Sequence, residues 1–144
     1  MPSKSEEVLQ ALFAALVAGL PGVTVLRNSS VPEVIPPDGL AILHDGDPGD
    51  YEFLFSPPLY FYEHRAEIDV IVEAGEPEDR DAIFDAIKTA AGAVLASDRT
   101  LGGLCDFVLG EAPAPAELPV EGSAGLKAAV IAITLHYATP DPLA

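Results

Sequence analysis

Basic residues are scarce in this chain of 144 residues: 7 Lys and Arg stand against 23 Asp and Glu, a formal net charge of −16. Lys4, Arg27, Arg65, Arg80, Lys88, Arg99 and Lys127 are scattered along the chain and form no patch. Phosphate neutralisation needs clustered Lys and Arg, so tight gripping of nucleic acid is not expected. An acidic surface suits solubility, and equally suits a wall that DNA slides past without sticking. Cysteine is nearly absent. Cys105 stands alone, which rules out an intrachain disulfide. Its flanks, Leu104 and Phe107, suggest a small buried hydrophobe rather than a nucleophile, which would need a base and a pKa-lowering site. No apolar run approaches the roughly 20 residues of a membrane helix. The opening MPSKSEEVLQ lacks the basic-then-apolar layout of a secretion signal, so a cytoplasmic start is expected.

Histidine is sparse too. His44, His64 and His136 each fall inside an expected strand, and none has the close spacing of a zinc site. They read as core or interface histidines with hydrogen-bond partners. Asp45, Asp47 and Asp50 resemble the start of a calcium loop, but Pro48 intrudes and the distal glutamate is missing. A solvated turn is the preferred reading, with weak divalent-ion binding left open. Gly102-Gly103 lacks the lysine and the strand-to-helix setting of a phosphate loop, and no Ser-His-Asp arrangement is legible. No catalytic, metal or cofactor-binding residue is assigned, no cofactor is expected, and the chain is not expected to be an enzyme.

What is present is a globular composition, 49% hydrophobic and 21% charged, enough for a single domain over residues 1–144 with a real core. Its dominant stretch is Leu59–Ala74, LYFYEHRAEIDVIVEA. At period two, Tyr60, Tyr62, His64, Ala66, Ile68, Val70, Val72 and Ala74 share one apolar or aromatic face. Phe61, Glu63, Arg65, Glu67, Asp69, Ile71 and Glu73 share the other, which carries most of the charge. This is a strand of about 50 Å at roughly 3.3 Å per residue, long enough for one end to bend, bulge or project. The carboxylates read as a solvated face partly neutralised by Arg65. Two alternatives stay open: acid–base work with His64, and an edge or channel lining that repels phosphates.

Around that strand the order is helix, four strands, helix, two strands. Ser3-Lys4-Ser5-Glu6 is a capping box, followed by a stripe of Leu9, Leu12, Phe13, Leu16, Val17 and Leu20 and a stop at Gly19–Gly22. Val23–Arg27 is a short strand, Asn28–Asp38 a proline-bearing loop or disordered arm, and Gly39–His44 a second strand. Tyr51–Phe55 follows a turn at Asp45–Asp50, so strands two and three should form a hairpin. Ser56-Pro57-Pro58 turns into the long strand. Pro77 opens a helix running to about Ala96, with Gly92 inside it attributed to a close backbone approach. Ser97–Gly103 is a loop, Leu104–Leu109 a strand and Gly110–Gly125 irregular. Lys127–Ala138, apolar on both faces, should be buried on both sides, and the tail Thr139–Ala144 exposed. The expected architecture is α+β: a single mostly antiparallel (mixed) sheet of about five to six strands packed against two helices.

The block Ala96–Val108, ASDRTLGGLCDFV, carries a resemblance. A helix followed by Asp-Arg-Thr-Leu-Gly-Gly-Leu and a strand resembles small tail-terminator or tail-completion proteins of long-tailed bacteriophages and phage-like gene transfer agents. The opening amphipathic helix, His64-Arg65-Ala66-Glu67 after a proline turn, and the closing His136-Tyr137 agree in kind. The resemblance implies a homo-oligomeric ring, typically a hexamer, that caps the tail tube protein and faces the head–tail connector or stopper protein. DNA would transit the ring without specific binding and no membrane would be involved; the place implied is the virion tail or neck, reached from the host cytoplasm. Arg65, Glu67, Asp69, Asp98 and Arg99 are the candidate subunit or partner contacts. Arg99 is the leading one, since a planar guanidinium can clamp a neighbour's carboxylate. Locally, Asp98–Gly103 also reads as a helix cap and turn, with Leu101 plugging the core. A neck or head-closure protein of the same particle, and a small cytoplasmic enzyme or ligand-binding domain, are the alternatives.

Overall fold

The computed structural model describes residues 2–116 and 125–144. Part of the irregular Gly110–Gly125 stretch, with Pro119, lies outside the described residues. The elements are α1 (Lys4–Gly19), β1 (Thr24–Arg27), β2 (Leu40–Asp47), β3 (Glu52–Leu54), β4 (Leu59–Glu73), α2 (Pro77–Ser97), β5 (Phe107–Gly110), β6 (Ala114–Pro115) and β7 (Leu126–Thr139). The fold is α+β, a mixed seven-stranded sheet with two helices; the order is β1-β2-β4-β7-β5, with β3 beside β4 and β6 beside β7. Among the described residues, β1 and β2 form the one parallel pair, through the proline-bearing connection that precedes β2.

The β4–β7 pair is the spine. Fourteen rungs run unbroken from Tyr60↔Thr139 to Glu73↔Leu126. The period-two reading of β4 holds on its inner face, where Tyr62, His64, Ala66, Ile68, Val70 and Val72 are buried. They pack with Val8, Leu9, Leu12, Leu16 and Leu20 of the first helical segment and with Phe84, Ile87 and Leu95 of α2. The α1 stripe is shifted from the expected one: Val8 is buried and Val17 is 49% exposed. Ser3 caps α1 as expected, accepting the Glu6 N–H at 3.3 Å. The other half of the capping box is not made, because the Glu6 carboxylate bonds both terminal nitrogens of Arg27 at 2.8 and 2.9 Å. Arg27 also donates to Asp45 at 2.9 Å, tying α1, β1 and β2 together. This pairing holds the Glu6 carboxyl below its ordinary range and pushes the Arg27 guanidinium up.

Several expectations are corrected. Strands β2 and β3 do not form a hairpin; both pair with β4, end to end along the same flank. The long strand offers enough ladder for two short partners. The Asp45-Gly46-Asp47 run is not a turn but a bulge within β2, where the register slips between His44 and Asp47. Gly46 sits at φ 72° with its hydrogen against the Arg65 carbonyl, an approach a side chain would block. The hairpin is β3–β4 instead, turned at Ser56-Pro57-Pro58. Second, nothing approaches Gly92: a Cβ there would meet no atom within 4 Å. Third, from Ala129 onward β7 is fully buried on one side, while on the other Ala132 is buried and its neighbours are only half-covered. Ala129, Ile131, Ile133, Leu135 and Tyr137 belong to the core shared with the helices, and Leu126, Ala128, Val130, Thr134, His136 and Ala138 are half-covered; Thr139, expected in the exposed tail, is instead a buried residue of β7. At one end of that outer face Ile35 closes a small second cluster over Leu40, Ile42 and Ile71. The fifth strand starts at Phe107 rather than Leu104, and the two-residue β6 arises inside the stretch expected to be irregular.

Candidate functional site

An aromatic series runs from the core to the tip of the β3–β4 hairpin. It begins at His64, 3% exposed, whose Nδ1 is 2.8 Å from the Tyr137 hydroxyl and whose Nε2 is 2.6 Å from the Asp45 carbonyl. A carbonyl only accepts, so Nε2 donates there and Nδ1 accepts from Tyr137. Burial pushes the Tyr137 hydroxyl up to about 12. Tyr137 lies against Tyr62 at 5.8 Å between ring centroids, and Tyr62 meets Tyr51 at 6.2 Å. Tyr51 and Tyr60 pack edge-on at 4.9 Å, Tyr60 and Phe53 at 5.1 Å, Phe53 and Phe55 at 4.9 Å. All four tyrosines of the chain belong to this series. Its inner end is buried, but Tyr51 is 55% and Phe55 79% exposed. Rings stacked edge to face are worth about 0.5–1.5 kcal/mol per pair beyond area burial, so the hairpin is stiffened from inside while its tip stays bare. Asp50, Glu52 and Glu63 cluster with Tyr51 and Phe61 toward the base of the hairpin and are exposed.

Among the described residues, both helices pack on the inner face of the sheet and none covers the outer one. Arg65, Glu67 and Asp69 lie together there, as the alternation predicts. Arg65 reaches Glu67 at 3.7 Å and Glu111 at 3.1 Å. Asp69 pairs with His44 Nε2 at 2.9 Å. His64 points to the opposite face, so the carboxylates and His64 do not converge and an acid–base set built from them is not assembled. Phe107 and Leu109 of β5 continue this face at 43% and 47% exposure.

Asp98 and Arg99 sit apart, at the C-terminus of α2. The Asp98 carboxylate accepts from the N–H of Gly102 at 2.8 Å and of Thr100 at 3.1 Å, which holds its carboxyl below the ordinary range. Leu101, Gly102 and Gly103 all have positive φ, and Leu101 is buried, so the cap-and-turn role is realised. Arg99 donates to the Val108 carbonyl at 3.0 Å and lies 5.3 Å from the Phe107 ring centre. Among the described residues its partners are that carbonyl and that ring, and no carboxylate.

Between α2 and the β5 edge runs an open groove of about 360 Å³. Ala91, Gly92 and Leu95 form one wall, Ile131 and Ile133 the floor; Lys88, Arg99 and Glu111 stand at the rim. The bare Gly92 belongs to this groove, since the missing side chain is what keeps it open. Among the described residues no group of three or more His, Cys, Asp and Glu is placed to hold a metal ion, and no helix is long and apolar enough to cross a membrane. Cys105 is buried, and desolvation pushes its thiol up to about 11, unlike an activated nucleophile.

Sequence reasoning missed His44 as the partner of Asp69, Glu111 as the partner of Arg65, and the Phe53–Phe55 tip. The first two depend on strand register. The third was visible as apolar residues at Phe53, Leu54 and Phe55 on the edge of a proline turn. No protein-family model matches the chain, and a search of curated proteins gives no match.

Proposed function

We propose that this chain is a structural subunit of a phage-type tail, a tail terminator that closes into a ring, of hexameric order, on the end of the tail tube. The observation that carries the reading is the exposed aromatic tip of a hairpin braced to the core. A monomer gains nothing from leaving Phe55 and Tyr51 bare, whereas a subunit that must seat against a neighbour does. The resemblance at Asp98–Val108 supplies the kind of assembly. The tube protein is the partner on one side of the ring and the head–tail connector or stopper on the other. DNA transits the middle, and the acidic balance of the chain lets it pass without adhesion. Function here rests on shape and contact rather than on a reactive group, in keeping with an imidazole and a thiol that are both buried and engaged in packing.

Deletion of the gene tests the proposal. Tails of irregular length, with heads left unjoined to them, are expected under the electron microscope. Normal particles would end it. The same experiment separates a terminator from a neck or head-closure role in the same particle, because loss of a neck protein leaves tails of normal length.

A further inference from the structure

Resting on the ring reading, we infer that the β3–β4 hairpin of one copy seats in the α2–β5 groove of the next. The occupant of the groove is thus a second copy of this chain, held head to tail. The sheet order makes the contact intermolecular. The β3 strand flanks β4 on the side away from β7, while the groove lies over β7 and β5, so a chain's own β3–β4 hairpin does not sit at its own groove. The two surfaces differ in kind: one is an aromatic projection, the other an apolar cleft. A contact between unlike surfaces is heterologous, and such contacts build closed rings when the rotation closes.

Charge selects the partner. The hairpin carries Asp50, Glu52 and Glu63, and the groove rim carries Lys88, which pairs with Asp85 at 3.3 Å, and Arg99, which has no such partner among the described residues. Two of the few cations in a strongly acidic chain thus stand around one apolar cleft. Glu111, the acidic member of the rim, is already engaged by Arg65 at 3.1 Å. Arg99, with no carboxylate partner among the described residues, is placed to take one from the incoming hairpin. Phe55 is the anchor, being the most exposed ring of the series and the one furthest from the core.

Two variants test this. Phe55→Asp disables the projection, and Gly92→Leu fills the groove; neither disturbs the core, since Phe55 is 79% exposed and a Cβ at Gly92 meets nothing within 4 Å. Urea unfolding midpoints close to wild type check that both fold, and Phe55→Ser serves in place of Phe55→Asp if that variant does not. Self-association is read by sedimentation velocity at high protein concentration, and ring formation by electron microscopy on purified tail tubes. Each variant alone is expected to lose association by at least about tenfold. Mixed in equal amounts they are expected to form a one-to-one dimer and nothing larger, because one intact projection then meets one intact groove. Rings formed by both variants as readily as by wild type overturn the inference and leave the ring reading standing. Wild-type chain that stays monomeric both in solution and on tubes overturns the two together.

Discussion

The Tyr137 hydroxyl donates to His64 Nδ1 at 2.8 Å across the β4–β7 pair, joining two buried polar groups beneath the hairpin. Removing the hydroxyl leaves a buried imidazole nitrogen with no donor. Tyr137→Phe is expected to lower stability by about 1–3 kcal/mol, measured by urea unfolding at pH 7. A second signature follows from the raised Tyr137 hydroxyl, about 12 when folded against about 10 unfolded. The folded chain holds this proton more firmly, so its contribution is complete below pH ~10 and is lost as pH rises through 12. The wild type should lose more stability than Tyr137→Phe between pH 9 and 11.

Cys105 offers a probe of the core beneath the Asp98–Gly103 turn. Its thiol is buried and pushed up to about 11. At pH 8 the folded protein should react with iodoacetamide at least ~100-fold more slowly than the urea-unfolded chain. Equal rates would place the thiol at the surface.

Two glycines should respond in opposite senses to alanine. Gly46→Ala forces a Cβ against the Arg65 carbonyl at a positive φ and should cost more than about 1 kcal/mol, by disturbing the bulge that carries Asp45 to Arg27 and His64. Gly92→Ala meets open space in mid-helix and should gain about 0.5–1 kcal/mol. Thermal unfolding of both against wild type checks the pair.

Glu67 and Asp69 lie on the sheet face that no helix covers. If that face lines the passage, Glu67→Lys with Asp69→Lys should slow DNA delivery while rings still form. The check is DNA ejection kinetics from particles carrying the variant; unchanged delivery removes the channel lining from the account.

Much of this architecture was legible in the residues. The alternation of Tyr62 to Val72 fixed which face of β4 meets the helices, Ser3 and Pro77 marked helix starts through local chemistry, and Gly102-Gly103 marked the turn that follows α2. What escaped was non-local. Glu6 completes a capping box on paper but is captured by Arg27 from another strand. Asp45-Gly46-Asp47 has the composition of a turn, yet the length of β4 lets β2 continue past it, so the glycine serves a bulge. The carboxylates of β4 were placed on the correct face, but their partners, His44 and Glu111, follow from register, which no single strand encodes. Gly92 carried a signal, an unfavourable residue in mid-helix, whose meaning was absence of contact rather than closeness. Phe53 is a strand residue, as the sequence reads, but Phe55 falls just past the end of β3 and stands 79% exposed.

The central claim is a closed collar of this polypeptide at one end of the tail tube. Electron cryomicroscopy of assembled particles, with the chain marked by a fused tag, tests it most directly. The account predicts density for a ring of about six copies, each of 15.0 kDa, at the tube end nearest the capsid. Particles whose tube end carries no copy of the chain would contradict it.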